Sequence, residues 1–229
     1  MSMSMIHRII VGMAIMASVV ACTPAKAGVL SDVTGAYQAT SVSKVYAERN
    51  VDSGVSEFGV VVDLPADYFL EAKRDTTGYT AGTLGKSVQL SDSFTFVPSV
   101  KYGVLNVNKE ANTDHETYFE GILEYMPVSA LYVYGGAGYS FMNEGQDYSK
   151  LKAGVSYDIH PEMTVGYNYT RQMQNARNDF DLGLPTSNEH EVVLTLVGHT
   201  IEPYVKMRHT VTTGIGYDNS AVAGLALVF

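Results

Sequence analysis

The chain has 229 residues with 16 Tyr, 8 Phe, 21 Gly and no Trp, and its formal net charge is −9. The length suits one domain or one medium barrel; Tyr and Phe favour strands, and Gly favours turns and tight barrel positions. The acidic balance excludes nucleic acid as a partner, because phosphate binding needs a basic face, and a lone cysteine, Cys22, excludes a disulfide framework or a Cys-based metal site.

Residues 1–27 read as a secretory signal. His7 and Arg8 form a weak n-region, Ile9–Ala21 is an apolar core too short to span comfortably, and Ala25-Lys26-Ala27 fits the small-x-small cleavage pattern. A cut after Ala27 leaves Gly28 as the new N-terminus and, with Arg8 and Lys26 gone, takes the net charge to about −11. Val19-Val20-Ala21-Cys22 offers a second cut, because it resembles a lipobox, and cleavage there would leave a lipidated Cys22. Either cut exports the chain from the cytoplasm. Past the leader there is no run of about 18 apolar residues, so no helical span is predicted.

Residues 28–229 form one domain in which segments of about ten residues alternate apolar and polar, separated by turn residues. Strands are expected near 35–46, 56–64, 67–74, 82–91 and 94–107, with Leu64-Pro65-Ala66-Asp67 a tight turn. Next, Thr117, Phe119, Gly121, Leu123 and Tyr125 share one face of a strand, against Glu116, Tyr118, Glu120, Ile122 and Glu124. Met126-Pro127-Val128-Ser129 is expected to turn, because Pro cannot continue a central ladder. Leu131, Val133, Ala137, Tyr139 and Phe141 open a further strand, which runs to a polar loop at 142–147.

Leu151, Ala153, Val155, Tyr157 and Ile159 alternate against Lys150, Lys152, Gly154, Ser156 and Asp158. His160-Pro161-Glu162 then turns the chain into Met163, Val165, Tyr167 and Tyr169. A long polar loop is expected near 174–188, a tight turn near 199–202 and a polar loop at 213–219. Short turns at one end and longer loops at the other are the pattern of an all-β, antiparallel, up-and-down transmembrane β-barrel. The segments predict about twelve strands; ten is the alternative, and eight would need longer loops. An even count puts both chain ends on one side.

The two strand faces differ in chemistry. The apolar and aromatic face suits lipid, with Tyr125, Phe141, Tyr157, Tyr169 and Phe229 near strand ends, where interface girdles form. By parity the inward candidates are Glu57, Asp63, Glu71, Lys73, Lys101, Glu120, Glu124, Lys150, Lys152, Asp158, Glu191, Lys206 and Arg208. Charges within a membrane protein must pair or meet water. Opposite signs so nearly balanced can pair across a narrow lumen and brace it, or they can line an aqueous path for ions or small solutes.

The last segment, Ala221-Val222-Ala223-Gly224-Leu225-Ala226-Leu227-Val228-Phe229, ends on an aromatic residue with Leu225, Leu227 and Phe229 on one face. It resembles the terminal strand of bacterial outer-membrane proteins, which the barrel-assembly machinery recognises. In that family the third residue from the end is often aromatic, and here it is Leu227. The similarity runs through residues 28–229 as pattern, and is to small outer-membrane barrels of the OmpA/OmpX-like kind. It implies residence in the outer membrane of a Gram-negative cell, in contact with its lipid; the two faces themselves lead to a structural or surface-interaction role with narrow-channel activity, with a porin-like pore for ions or small solutes as the alternative and a lipid A-modifying hydrolase as the minor one. The resemblance implies no particular activity.

Among outer-membrane barrels some are lipid-modifying hydrolases, which need a nucleophile, a base and an orienting group together. Arg208-His209-Thr210 is similar to the lipid A deacylase pattern of His followed two residues later by Ser, but that position is Val211. His115 and His190 read as solvated residues of acidic loops, and His160 and His199 fall at short turns. Asp179, Asp181 and Glu189 are read as solvated loop acids. No phosphate-binding glycine loop, zinc spacing or calcium loop is present, so neither an enzyme nor a cofactor is expected. Loops at 74–86, 106–116 and 174–188 are expected to be the parts that meet other molecules.

Overall fold

A computed structural model describes residues 43–106, 113–143, 146–175 and 185–229. The leader, Ala27, Cys22, Asp179 and Asp181 lie outside the described residues. Among those described, twelve antiparallel strands follow one another round a ring. They are β1 (Lys44–Asn50), β2 (Ser56–Leu64), β3 (Tyr68–Asp75), β4 (Thr80–Lys86, resumed at Val88–Gln89), β5 (Phe94–Asn106) and β6 (Thr113–Val128). The ring continues through β7 (Leu131–Met142), β8 (Tyr148–His160), β9 (Met163–Gln174), β10 (Thr186–Leu196), β11 (Ile201–Thr212) and β12 (Gly216–Val228). Each strand pairs with its neighbours in sequence, and β1 pairs with β12, Lys44 opposite Val228 to Asn50 opposite Val222. That seam closes the sheet on itself and removes its edges.

Connections at one end hold two to four residues and those at the other three to eleven; we call these the short-turn and long-loop ends. Both described termini, Ser43 and Phe229, lie at the short-turn end, where the Phe229 N–H donates to the Ser43 carbonyl at 3.0 Å.

Prolines explain two irregularities. The two pieces of β4 keep one register against β5, Gly85 opposite Ser99 and Val88 opposite Phe96, and the gap falls across from Pro98, which has no N–H to give. Pro127 was expected to force a turn at 126–129. Instead β6 runs on to Val128, and the register shift between Tyr125 and Val128 makes a bulge that seats the proline, so the turn is only 129–130.

Other boundaries move as well. The first described strand is 44–50 where 35–46 was expected, and residues up to 42 lie outside the description. The loop expected over 74–86 is a hairpin: β3 reaches Asp75, β4 begins at Thr80, and the Asp75 carboxylate accepts the N–H groups of Thr77, Gly78 and Tyr79. The loop expected at 213–219 shrinks to 213–215, with Tyr217–Asn219 paired to β11. The turn expected near 199–202 sits at 197–200.

The pleat sends alternate residues in and out. Outward, Phe58, Leu70, Leu84, Phe96, Phe119, Leu123, Val155, Val192, Leu194, Val205 and Leu225 are exposed, an apolar exterior suited to hydrocarbon. Phe94 stacks on Tyr125 with ring centroids 4.5 Å apart near the short-turn end. Phe141 meets Phe119 edge-on at 6.2 Å towards the other end. Inward, Tyr46, Val61, Phe69, Val97, Ile122, Tyr132, Tyr134, Tyr204 and Ala226 form one buried cluster. Each sits in the half of its strand nearer the short turns.

Four rings of this cluster lie directly opposite lumen-facing glycines: Tyr46 against Gly59, Phe69 against Gly85, Tyr134 against Gly154, Tyr204 against Gly224. A Cβ at any of these glycines would overlap the ring. The missing side chains are therefore the seats that let large aromatics lie flat against the wall.

Candidate functional site: the barrel lumen

Charged side chains fill the lumen on the long-loop side of the apolar cluster. Among the described residues most of them sit in ion pairs formed between strands. Lys73 Nζ lies 3.3 Å from Glu57, Lys101 Nζ 3.0 Å from Glu116, Lys152 Nζ 2.7 Å from Glu120, Lys206 Nζ 2.9 Å from Glu48, and Arg208 Nε 2.5 Å from Glu191. Hydroxyls and amides complete the carboxylates, as buried ions require. Tyr204 donates to Glu48 at 3.1 Å, Tyr118 to Glu120 at 2.6 Å, and Asn168 Nδ2 to Glu191 at 3.0 Å. Tyr46 places its hydroxyl 3.1 Å from Glu57 and 3.2 Å from Glu71, and Thr83 donates to Glu71 at 3.2 Å.

Glu116 is heavily coordinated: besides Lys101 it accepts from Tyr79 at 2.8 Å, Ser140 at 3.1 Å and Tyr148. Tyr79 belongs to the turn before β4, and burial first, then the Glu116 carboxylate, push its hydroxyl pKa far up, which keeps it a donor.

A cavity of about 290 Å³ remains inside this charged belt. Ten of the twelve strands line it. Glu57, Glu71, Lys73, Lys101, Glu120, Lys150, Lys152 and Arg208, all read as inward from parity, are on its wall. Phe69, Val97 and Ile122 form its short-turn side. The next inward residues towards the short turns, Thr95 and Glu124, line a second cavity of about 230 Å³ with Asp67, Gln89, Asp92 and Met126. An apolar layer thus separates two polar chambers. Glu191 and Lys206 are packed into the wall behind their partners, with side chains 1% and 2% exposed. Asp158 accepts from Thr164 at 2.6 Å and Asp63 holds the Ser43 hydroxyl through its backbone N–H at 3.0 Å, both at the short-turn end and away from the main cavity.

Sequence reasoning missed Glu48, because the first strand was expected to end at residue 46; the alternation Val45, Tyr46, Ala47, Glu48 carried the signal. It also put His115 and His190 in loops. Both are strand residues: His115 in β6 is hydrogen-bonded to Tyr102 at 2.8 Å, and His190 in β10 to Tyr167 at 2.7 Å. His209 is exposed on the outer wall beside Asn219, at 2.7 Å, and away from Arg208. No group of three or more metal-ligating side chains exists among the described residues.

Ring closure, a polar lumen and an apolar exterior define the fold as a closed, twelve-stranded antiparallel barrel of the transmembrane kind. No family model matches the chain and no curated protein matches it. Solved porins do match in fold. The NanC porin aligns with TM-score 0.60 at 15% identity, covering 82% of this chain and 100% of its own. The KdgM porin aligns with TM-score 0.61 at 14% identity, covering 82% of this chain and 99% of its own. A structure of KdgM porin in complex with disordered oligogalacturonate gives TM-score 0.60 at 14% identity.

Proposed function

We propose that the chain is an outer-membrane barrel whose lumen passes ions and small polar solutes. The observation that carries this reading is the charged cavity inside the ring: its wall comes from strands alone and keeps open space among polar groups. Water-filled lumina of this kind conduct with a selectivity set by the charges that face the path. Supporting features are the apolar exterior, the leader over 1–27 with its cut after Ala27, and the terminal Leu225, Leu227 and Phe229. The last of these would be read by the barrel-assembly machinery. Lipid is the surrounding partner, and the role involves no catalysis.

A second reading has its own observation. Ion pairs that stitch adjacent or next-but-one strands together along the wall, and the apolar layer around Phe69 and Ile122, are what a braced, closed barrel with a surface role would contain. Single-channel recording of the refolded protein in a planar bilayer, with reversal potentials in a salt gradient, separates the two. Steady openings are expected. A silent membrane holding folded barrel would assign the protein to the braced, surface-acting class and overturn the channel.

A further inference from the structure

The main cavity is lined by as many bases as acids, yet the charges do not all cancel in pairs. Lys150 faces it from β8 with its ammonium 5.0 Å from the Tyr148 ring centroid and 5.8 Å from that of Tyr118, and among the described residues no carboxylate reaches ion-pair distance of it. Glu189 faces the same cavity from β10; Arg208, already bonded to Glu191, acts on its charge from a distance, but among the described residues no cation reaches ion-pair distance of its carboxylate and no donor hydrogen-bonds to it. Between them Thr170 of β9 also lines the cavity, with its hydroxyl unengaged among the described residues. The register places these groups side by side. Thr170 lies directly across from Glu189, and on its other side across from Lys152, with Lys150 one inward position further along β8.

A cation, a hydroxyl and a carboxylate on three consecutive strands, none of them in an ion pair or a side-chain hydrogen bond among the described residues, form a dipolar patch in a lumen where most other ions are paired. All three are half-buried on the cavity wall, so their remaining hydrogen bonds are open to water or to a polar solute in the cavity. A solute with one charge would satisfy one end of the patch and be opposed by the other. A solute carrying both charges would satisfy both ends and bring no net charge into a low-dielectric wall.

We propose that the β8–β9–β10 wall is a subsite for a small zwitterion of the amino-acid class, its carboxylate held by Lys150, its ammonium by Glu189, and Thr170 between them. The solute's identity rests on the channel reading only in that the lumen must be reachable from water; binding itself needs no conduction.

The test is equilibrium dialysis of radiolabelled glycine, β-alanine and 4-aminobutyrate against the detergent-refolded barrel at low ionic strength, with acetate and methylammonium as single-charge controls. Saturable binding of at least one zwitterion is expected, about tenfold tighter than either control, the size of one charge-assisted hydrogen bond. Lys150→Gln and Glu189→Gln should each weaken it about tenfold while the folded barrel's heat-dependent gel shift is unchanged. No saturable binding, equal binding of acetate, or indifference to Glu189→Gln would overturn the subsite. Binding by a barrel that is silent in the bilayer would sink the channel and keep the site; conduction without binding would do the reverse.

Discussion

Lys206 and Glu48 illustrate how much a charged lumen depends on its pairs. The lysine side chain is 2% exposed and the glutamate, on the cavity wall, 10%, so both charges are held largely out of water. Removing one partner strands the other, which costs about 3–5 kcal/mol, whereas the intact pair adds little over an apolar replacement. Lys206→Met is therefore expected to destabilise the barrel by about 3–5 kcal/mol in denaturant titration, with Glu48→Gln in the same background recovering most of the loss. The aromatic seats behave differently. Gly154→Val would drive a branched side chain into the Tyr134 ring, and overpacking of that kind costs about 1–3 kcal/mol, read as a lower unfolding midpoint.

At the scale of strands the pleat decides which substitutions matter. Glu191 and Val192 are neighbours in β10, yet the first is buried against Arg208 and Asn168 and the second is 48% exposed on the outer wall. Val192→Arg would put a charge against hydrocarbon and should cost about 2–4 kcal/mol in unfolding from lipid vesicles, falling towards zero at positions nearer the strand ends. This alternation is also what made the strands legible. From β6 to β9 the period of two is clean, and lumen positions such as Glu120, Lys150 and Lys152 follow from parity alone. Pro127 misled because its local rule, no N–H for a ladder, is satisfied by a bulge as well as by a turn. Asp114, His115 and Glu116 looked like a polar loop because a strand in a charged lumen carries polar residues on its inner face up to its end. The apolar cluster could not be foreseen: Phe69 and Ile122 are apolar and inward, and only closure of the ring shows that residues far apart in sequence meet there.

The whole barrel is a polar chamber stacked on an apolar layer stacked on a second polar chamber. Hydrophobic constrictions oppose ion passage by dewetting, so the layer, rather than the ion pairs, should limit the current. Phe69→Ala with Ile122→Ala is expected to raise single-channel conductance at least about twofold in a planar bilayer, while Lys73→Gln, within the charged belt, shifts the reversal potential more than the conductance. Unchanged conductance in the double variant would place the limiting step elsewhere along the lumen.

The seam between β1 and β12 has a kinetic consequence. Residues 44–50 find their second hydrogen-bonding partner only in residues 222–228, which are synthesised long after them. Until those arrive, every partial ring presents two raw edges and an outer wall that water rejects, a state prone to aggregate. The longest sequence separation in the molecule thus sits at its final joint, which predicts slow, late, all-or-nothing closure. It follows that the growing chain must be kept apart from its own kind until the seam closes, and that losing residues 222–228 would abolish the product rather than trim it.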